Sequence, residues 1–229
     1  MYFPNDQAKA VGQIVASRHS CRAFLPAQVP AAQIRDIFTL AQQTPSWCNT
    51  QPWQVNFLSG SATAEFSRLL KVHTERDPAG NPDLNFPAHY PGEFGKRRKA
   101  SGKALFEAVG LARDDLDGRT RQSALNYEFF GAPHVAIISV PKTLNDYALV
   151  DAGGYVSTLM LIATSFGLGT IAQASIARYS PVVRNYFTLD EEQRIVCAVS
   201  FGYADESNSA NSFRTERSSI DDVAIGLPQ

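Results

Sequence analysis

The sequence predicts an α+β fold, and three observations carry that expectation. Helical patterns dominate, and the strand-like runs are separated by long helical stretches instead of alternating with them one for one. No Gly-x-Gly-x-x-Gly follows the first strand-like run, so the fingerprint of a doubly wound dinucleotide fold is missing. One stretch, Tyr147 to Phe166, is apolar on nearly all sides, which a helix outside a membrane tolerates only when protein wraps it. The 229 residues are 44% apolar and 19% charged, with no break in composition, so one globular domain over 1–229 is expected.

Each element has a local reason. Asn5 to about Ser17 carries Ala8, Val11, Ile14 and Val15 at helical spacing and ends in the polar cluster Arg18-His19-Ser20-Cys21-Arg22. Pro30 is placed to open the next helix, whose Ile34, Ile37, Phe38 and Ala41 form one face before Thr44-Pro45-Ser46 breaks it. A loop from Pro45 to Pro52 leads into a strand, Trp53 to Leu58, and a third helix spans Ala62 to about Val72. Asp77-Pro78-Ala79-Gly80-Asn81-Pro82, with Pro87, Pro91 and Gly92, then marks a long irregular stretch. Loops of that length are usually functional or disordered, and Arg76 to Phe94 is expected to form a lid over a substrate pocket.

Helical patterns resume over about Phe94 to Arg113 and Leu116 to Phe130, and Gly131-Ala132-Pro133 precedes a strand from His134 to Val140. The apolar stretch Tyr147 to Phe166 is expected to be a central core helix or a subunit-interface helix. Gly167-x-Gly169 lacks a third glycine and follows a helix, so it reads as a helix C-cap and not as a dinucleotide motif. Pro181 starts a short helix to about Phe187, Arg194 to Tyr203 is the last strand, and a polar loop leads to a terminal helix from about Ser219.

Charge and cysteine usage narrow the partners. Lys and Arg total 21 against 22 acidic residues, a net charge of -1, which lacks the footprint of a nucleic-acid binder. The run Lys96-Arg97-Arg98-Lys99, with Lys103 beyond it, reads as a solvated helix face and is assigned no function. The N-terminus lacks the basic region and apolar stretch of a signal peptide, and no window is expected to approach the ~20 apolar residues of a membrane span, so a cytoplasmic location is expected. Cys21, Cys48 and Cys197 form no Cys-x-x-Cys pair, and His19, His73, His89 and His134 form no i, i+4 pair. Neither a disulfide framework nor a metal site is expected.

Two segments carry chemistry. Arg18, Ser20 and Arg22 place two guanidinium forks and a hydroxyl within one short run, which suits charge-assisted, bidentate binding of a phosphate; a surface cluster without a ligand is the alternative. Pro45-Ser46-Trp47-Cys48-Asn49-Thr50-Gln51-Pro52-Trp53 holds amides and hydroxyls between rigid prolines and tryptophans. Carboxamides both donate and accept, matching the alternating N–H and C=O edge of an isoalloxazine, although a Trp-anchored structural loop would look the same.

These two blocks, followed in order by Phe129-Phe130-Gly131-Ala132-Pro133, Gly167-Leu168-Gly169-Thr170 and Gly202-Tyr203, resemble the FMN-dependent nitroreductase superfamily from about residue 11 to residue 225. The resemblance implies a sheet, mixed or antiparallel, wrapped by helices. It also implies an intertwined homodimer with two FMN sites at the interface, each drawing residues from both chains. Arg18, His19, Ser20 and Arg22 would then hold the FMN phosphate and ribityl chain, while Pro45, Ser46, Asn49 and Gln51 would lie against the flavin. Asn126 would face the pyrimidine edge, and Ile171, Ala172, Gln173, Ala174 and Ser175 would pass near N5. Asn211, Arg214 and Arg217 match the family's asparagine-to-arginine spacing, one arginine completing the phosphate site.

Two departures stand out: Gln173-Ala174 replaces the Glu-Gly of many members, and Arg22 stands where several carry lysine. The implied activity is ping-pong transfer of reducing equivalents from NADPH or NADH to a nitroaromatic, quinone or related electron-poor small molecule, without a catalytic side-chain base. Reductive dehalogenation or flavin fragmentation, a non-catalytic flavin-binding or redox-sensing protein, and a hydrolase using Cys48 with a histidine base are the competing readings.

Overall fold

A computed structural model describes residues 3–228. Four strands form one sheet in the order β1-β2-β4-β3, with every pair antiparallel: β1 (Gln54–Ser59), β2 (His134–Pro141), β3 (Gly169–Gln173) and β4 (Gln193–Gly202). Central position explains the sequence of β2. Its residues are apolar without alternation because both faces are covered: Val135 and Ile137 enter one core, and Ala136, Ile138 and Val140 enter the other. In β4 a bulge at Val196, opposite Ile138 and Ser139, inserts one residue and reverses the alternation. Ile195 therefore faces the first core, while Cys197, Val199 and Phe201 face the second.

Eight α-helices form among the described residues: α1 (Asp6–Ser17), α2 (Ala31–Ala41), α3 (Ser61–Arg76), α4 (Gly92–Ala108), α5 (Leu116–Ala124), α6 (Tyr147–Ser165), α7 (Ala174–Ala177) and α8 (Ser180–Phe187). The Asn5 side chain accepts from the Ala8 N–H at 2.8 Å and caps α1, and Asp115 caps α5 by accepting from Gly118 N–H at 2.7 Å. Pro30 immediately precedes α2, and Pro181 occupies the first turn of α8. The first core, with Phe66 of α3 and Val183 of α8, lies on one face of the sheet. The second, with Ile37 of α2 and Tyr155 of α6, lies on the other.

Helix α6 buries Ala148, Ala152, Tyr155, Val156, Leu159 and Ala163 along one side, while Tyr147 and Val150 are exposed on the other. Among the described residues it alone reaches the length and mean hydropathy of a membrane span, a match the sequence reading did not credit. Its inner side packs on α2, β2, β3 and β4.

The elements depart from expectation in several places, the unexpected α7 and the extension of α3 to Arg76 among them. The helix expected over 116–130 ends at Ala124 and continues as 3-10 turns over Leu125–Gly131. Phe129 and Phe130 take left-handed backbone (φ +54° each), which ends the helical path, and both rings are buried. Gly167 (φ +77°) does cap α6, but Gly169 then begins β3, a strand absent from the sequence reading. Helix α4 starts at Gly92 and stops at Ala108, and the expected terminal helix is a single 3-10 turn, Ile220–Asp222.

Candidate functional site

The arginine cluster is assembled from both ends of the chain. After α1 the backbone runs alongside β3: Ser20 bridges Thr170 in parallel, and the Cys21 N–H donates to the Thr170 carbonyl at 2.9 Å. Buried Asn211 attaches the C-terminal segment to this run. Its Oδ1 accepts from the Arg22 N–H at 2.7 Å, and its Nδ2 donates to the carbonyls of Ala23 and Asp205, each at 2.9 Å. Phe213 is thereby carried over Arg22, whose guanidinium lies 5.5 Å from the ring centre.

Between these segments lies a cavity of about 770 Å³, lined by Arg18, His19, Ser20, Arg22, Phe213, Arg214, Thr215 and Arg217, with Ser101 of α4 at its edge. None of the four arginines has a carboxylate partner among the described residues. Their N–H groups instead reach backbone carbonyls: Arg22 donates to Ser20 at 3.2 Å, and Arg214 to Asn211 and Phe213, each at 2.8 Å. Arg217 donates to the Thr215 hydroxyl at 2.8 Å.

Burial, reinforced by the charge of Arg217, pushes the Arg18 pKa below its ordinary value, and burial does the same to Arg22. Crowded like charges without a counter-ion are the setting in which a bound dianion is most strongly stabilised. His19 Nε2 is buried with no partner, and Ser20 adds a hydroxyl. The donor set fits a phosphate with a polyhydroxyl chain attached, which is the polar end of FMN.

A second group lies along β3. Ile171 points into the core, Ala172 and Ala174 are exposed, and Gln173 is buried, as alternation along a strand requires. The Gln173 Nε2 donates to the backbone carbonyl of Asn126 at 2.8 Å and approaches Asn126 Oδ1 at 3.3 Å, while the Ser175 hydroxyl donates to the same Oδ1 at 3.1 Å. From Thr170 beside Ser20 to Gln173 is a rise of roughly 10 Å along a strand. The arginine cavity and the Asn126 group therefore sit toward opposite ends of β3.

The loop Pro45–Pro52 is held by contacts of its own. The Trp47 N–H donates to Asp151 Oδ1 of α6 at 3.1 Å, and the Trp47 ring meets Tyr147 edge-on at 4.3 Å. Ser46 Oγ accepts from the Gln51 N–H at 2.8 Å, and the Gln51 carboxamide bonds Asn49 and Gln42, the residue that caps the C-terminus of α2. Cys48, Asn49 and Gln51 all have left-handed backbone (φ +52°, +55° and +47°), a strain on the order of 1–2 kcal/mol per residue. Strain of this kind concentrates at functional segments. Pro45, Asn49 and Gln51 are exposed, Ser46 is half-buried, and exposed Cys48 bonds no histidine among the described residues.

Within one chain, then, Arg18, His19, Ser20, Arg22, Arg214 and Arg217 share a cavity, Asn126 joins Gln173, and Pro45, Ser46, Asn49 and Gln51 stay on their own loop. Local patterns do not single out Phe213, Thr215, Asp151 or Ser200, whose hydroxyl donates to Gln173 Oε1. Adjacency to Arg214 was the only available signal for the first two. The expected lid is partly pinned: Asp83 pairs with buried Arg184 of α8 and accepts from the Ile195 N–H of β4 at 2.8 Å, and Asn81 N–H donates to the Arg178 carbonyl at 2.8 Å.

Comparison with known proteins gives a consistent picture. The sequence model of the Nitroreductase family matches residues 15–203. The chain is 37% identical to a 4-nitrobenzoate reductase of Pseudomonas putida over 204 residues, 89% of each protein. Among solved structures, the FMN-dependent nitroreductase NfnB from Mycobacterium smegmatis in complex with NADPH superposes with a TM-score of 0.91 at 32% identity, covering 96% of this chain and 98% of that one. The FMN and NADPH-dependent nitroreductase NfnB from Sphigopyxis sp. strain HMH also superposes at 0.91, with 28% identity over 96% and 99% of the two chains.

Proposed function

The chain belongs to the nitroreductase family, and from that premise we propose that it is an FMN-dependent oxidoreductase. It passes reducing equivalents from NADPH or NADH to nitroaromatic, quinone or related electron-poor small molecules. The single observation that carries this reading is the cavity lined by four arginines that have no carboxylate partner among the described residues. The relative named for 4-nitrobenzoate reduction, 37% identical, supports the acceptor class, and the neighbour solved with NADPH supports the donor.

FMN supplies the hydride chemistry when bound, and the protein supplies binding, orientation and electrostatics. Arg18, Arg22, Arg214 and Arg217 hold the phosphate, and His19 and Ser20 meet the ribityl chain. Asn126 faces the pyrimidine edge, and the backbone of Ile171, Ala172, Gln173 and Ala174 passes the reactive ring. Pro45, Ser46, Asn49 and Gln51 reach the site of a second subunit, which accounts for a strained, exposed loop held apart from the arginine cavity of its own chain.

The whole chain, 1–229, acts as one FMN-binding domain and functions as a homodimer. Support comes from apolar surface left uncovered in one chain. Val150 on the outer side of α6 is 67% exposed, and Ile225 in the C-terminal segment is 97% exposed. An open groove of about 1320 Å³ lies between α2 and β1, lined by Ile34, Phe38, Trp53 and Phe57. Three free cysteines suit a reducing, cytoplasmic setting. Initial rates measured at several fixed acceptor concentrations test the mechanism: parallel double-reciprocal lines are expected, and intersecting lines contradict the ping-pong scheme.

A further inference from the structure

The Asn126 group admits a complete count of donors and acceptors. Gln173 is 2% exposed, so its carboxamide has no water to turn to. Its Oε1 accepts from the Ser200 hydroxyl, and its Nε2 donates to the Asn126 carbonyl at 2.8 Å and toward Asn126 Oδ1 at 3.3 Å. Flipping this amide would set Oε1 against two oxygens of Asn126, so only the present orientation is satisfied. Asn126 Oδ1 also accepts from the Ser175 hydroxyl at 3.1 Å, which uses both of its lone pairs. Asn126 Nδ2 gives one N–H to the Ser123 carbonyl at 3.0 Å. The side chain of half-buried Asn126 therefore has one hydrogen-bonding valence left, an N–H.

We propose that Gln173 is a positioning residue that, clamped between Ser200 and Asn126, makes Asn126 a pure hydrogen-bond donor toward the flavin. This rests on the FMN reading above. A free asparagine could turn either end to a ring edge that carries both N–H and C=O groups. Here only a flavin oxygen or an unprotonated ring nitrogen can be met, and N3–H is refused. A donor at such an atom favours the electron-rich, reduced ring over the oxidised one. A carboxylate at position 173 would face the Asn126 oxygens as an acceptor and destroy the arrangement, unless it carried a proton in the place of the Nε2 donor.

The test is the two-electron midpoint potential of bound FMN in the full-length protein, measured across a pH series for the wild type and for Gln173→Glu. The expected result is a fall of about 30 mV at neutral pH, equivalent to a tenfold weaker preference for the reduced ring. That deficit closes as the pH is lowered and the introduced carboxylate takes up a proton. A Gln173→Glu potential that tracks the wild type at every pH overturns the proposal, and so does a constant offset with no pH dependence.

Asn126→Asp, which replaces the donor by an acceptor without changing position 173, supplies the second measurement should Gln173→Glu fail to fold. A lowered potential supports the proposal and an unchanged one overturns it. Wild-type protein that does not retain FMN would instead refute the FMN reading itself, and the dissociation constant of FMN, measured by fluorescence quenching, separates the two failures.

Discussion

Arg22 shows how one side chain can serve both folding and ligand. Its N–H is fixed by Asn211 Oδ1 and its guanidinium by the Ser20 carbonyl and the Phe213 ring, so the fork arrives at the cavity already oriented. Hydrogen bonds to charged groups are worth about 1.5–3 kcal/mol. Arg22→Ala should therefore raise the FMN dissociation constant roughly ten- to a hundredfold in a quenching titration, and Arg22→Lys should recover only part of it because a point charge replaces a fork. His134 is a different case. Its Nε2 accepts from the Val29 N–H at 2.9 Å, and its ring packs against both Phe57 and Phe201, so the neutral form is built into the fold. Burial holds its pKa below 6.5. The unfolded chain thus binds more protons than the folded one as the pH drops below that value, so stability is full above it and is lost below. The denaturation midpoint should fall between about pH 7 and about pH 5, with a slope of at most about 1.4 kcal/mol per pH unit from this group, and His134→Asn should remove that component. The first three cluster residues were legible because they sit within five positions of one another. The part played by Asn211 was not, since its bond to Arg22 spans 189 residues and no local pattern encodes it.

At the scale of elements, the segment 77–86 is tied to the body of the fold at several points. Asp83 is buried against Arg184 and the Ile195 N–H, the Tyr179 hydroxyl donates to the Asp77 carbonyl at 3.0 Å, and Arg178 lies over Phe86. Removing one partner of a buried pair leaves an uncompensated charge and costs about 3–5 kcal/mol. Asp83→Ala should approach the lower end of that range in chemical denaturation, because exposed Glu191, 3.4 Å from Arg184, is a partial substitute. The neighbouring residues Pro87–Pro91 are exposed, and this shorter stretch is where acceptor choice would be set. Exchanging 87–91 should change acceptor preference while leaving FMN affinity unaltered; unchanged preference would refute a lid role. Strands β1, β2 and β4 and most helices were readable because apolar spacing and proline mark them. Strand β3 was hidden because it has five residues and opens on a glycine that also reads as the end of α6. The left-handed Phe129 and Phe130 were hidden because tertiary burial of two adjacent rings overrides a helical pattern that looks continuous.

For the molecule as a whole, the proposed function implies a site completed by two chains. The arginine cavity and the Asn126 group lie along β3, whereas the strained loop Pro45–Pro52 is bound to α2 and α6 and carries its amides elsewhere. The composition of α6 announced a wrapped helix, but a sequence cannot say whether the wrapping comes from its own chain or from a copy. Its exposed outer side favours a copy. Sedimentation should give a dimer at micromolar concentration, and a monomer that retains full activity would contradict the two-chain site. The central claim is tested most directly by the visible spectrum of the purified protein, recorded before and after anaerobic addition of NADPH and then of a nitroaromatic. A flavin band that bleaches with the donor and returns with the acceptor is the result predicted here. A colourless protein that FMN does not reconstitute would contradict it.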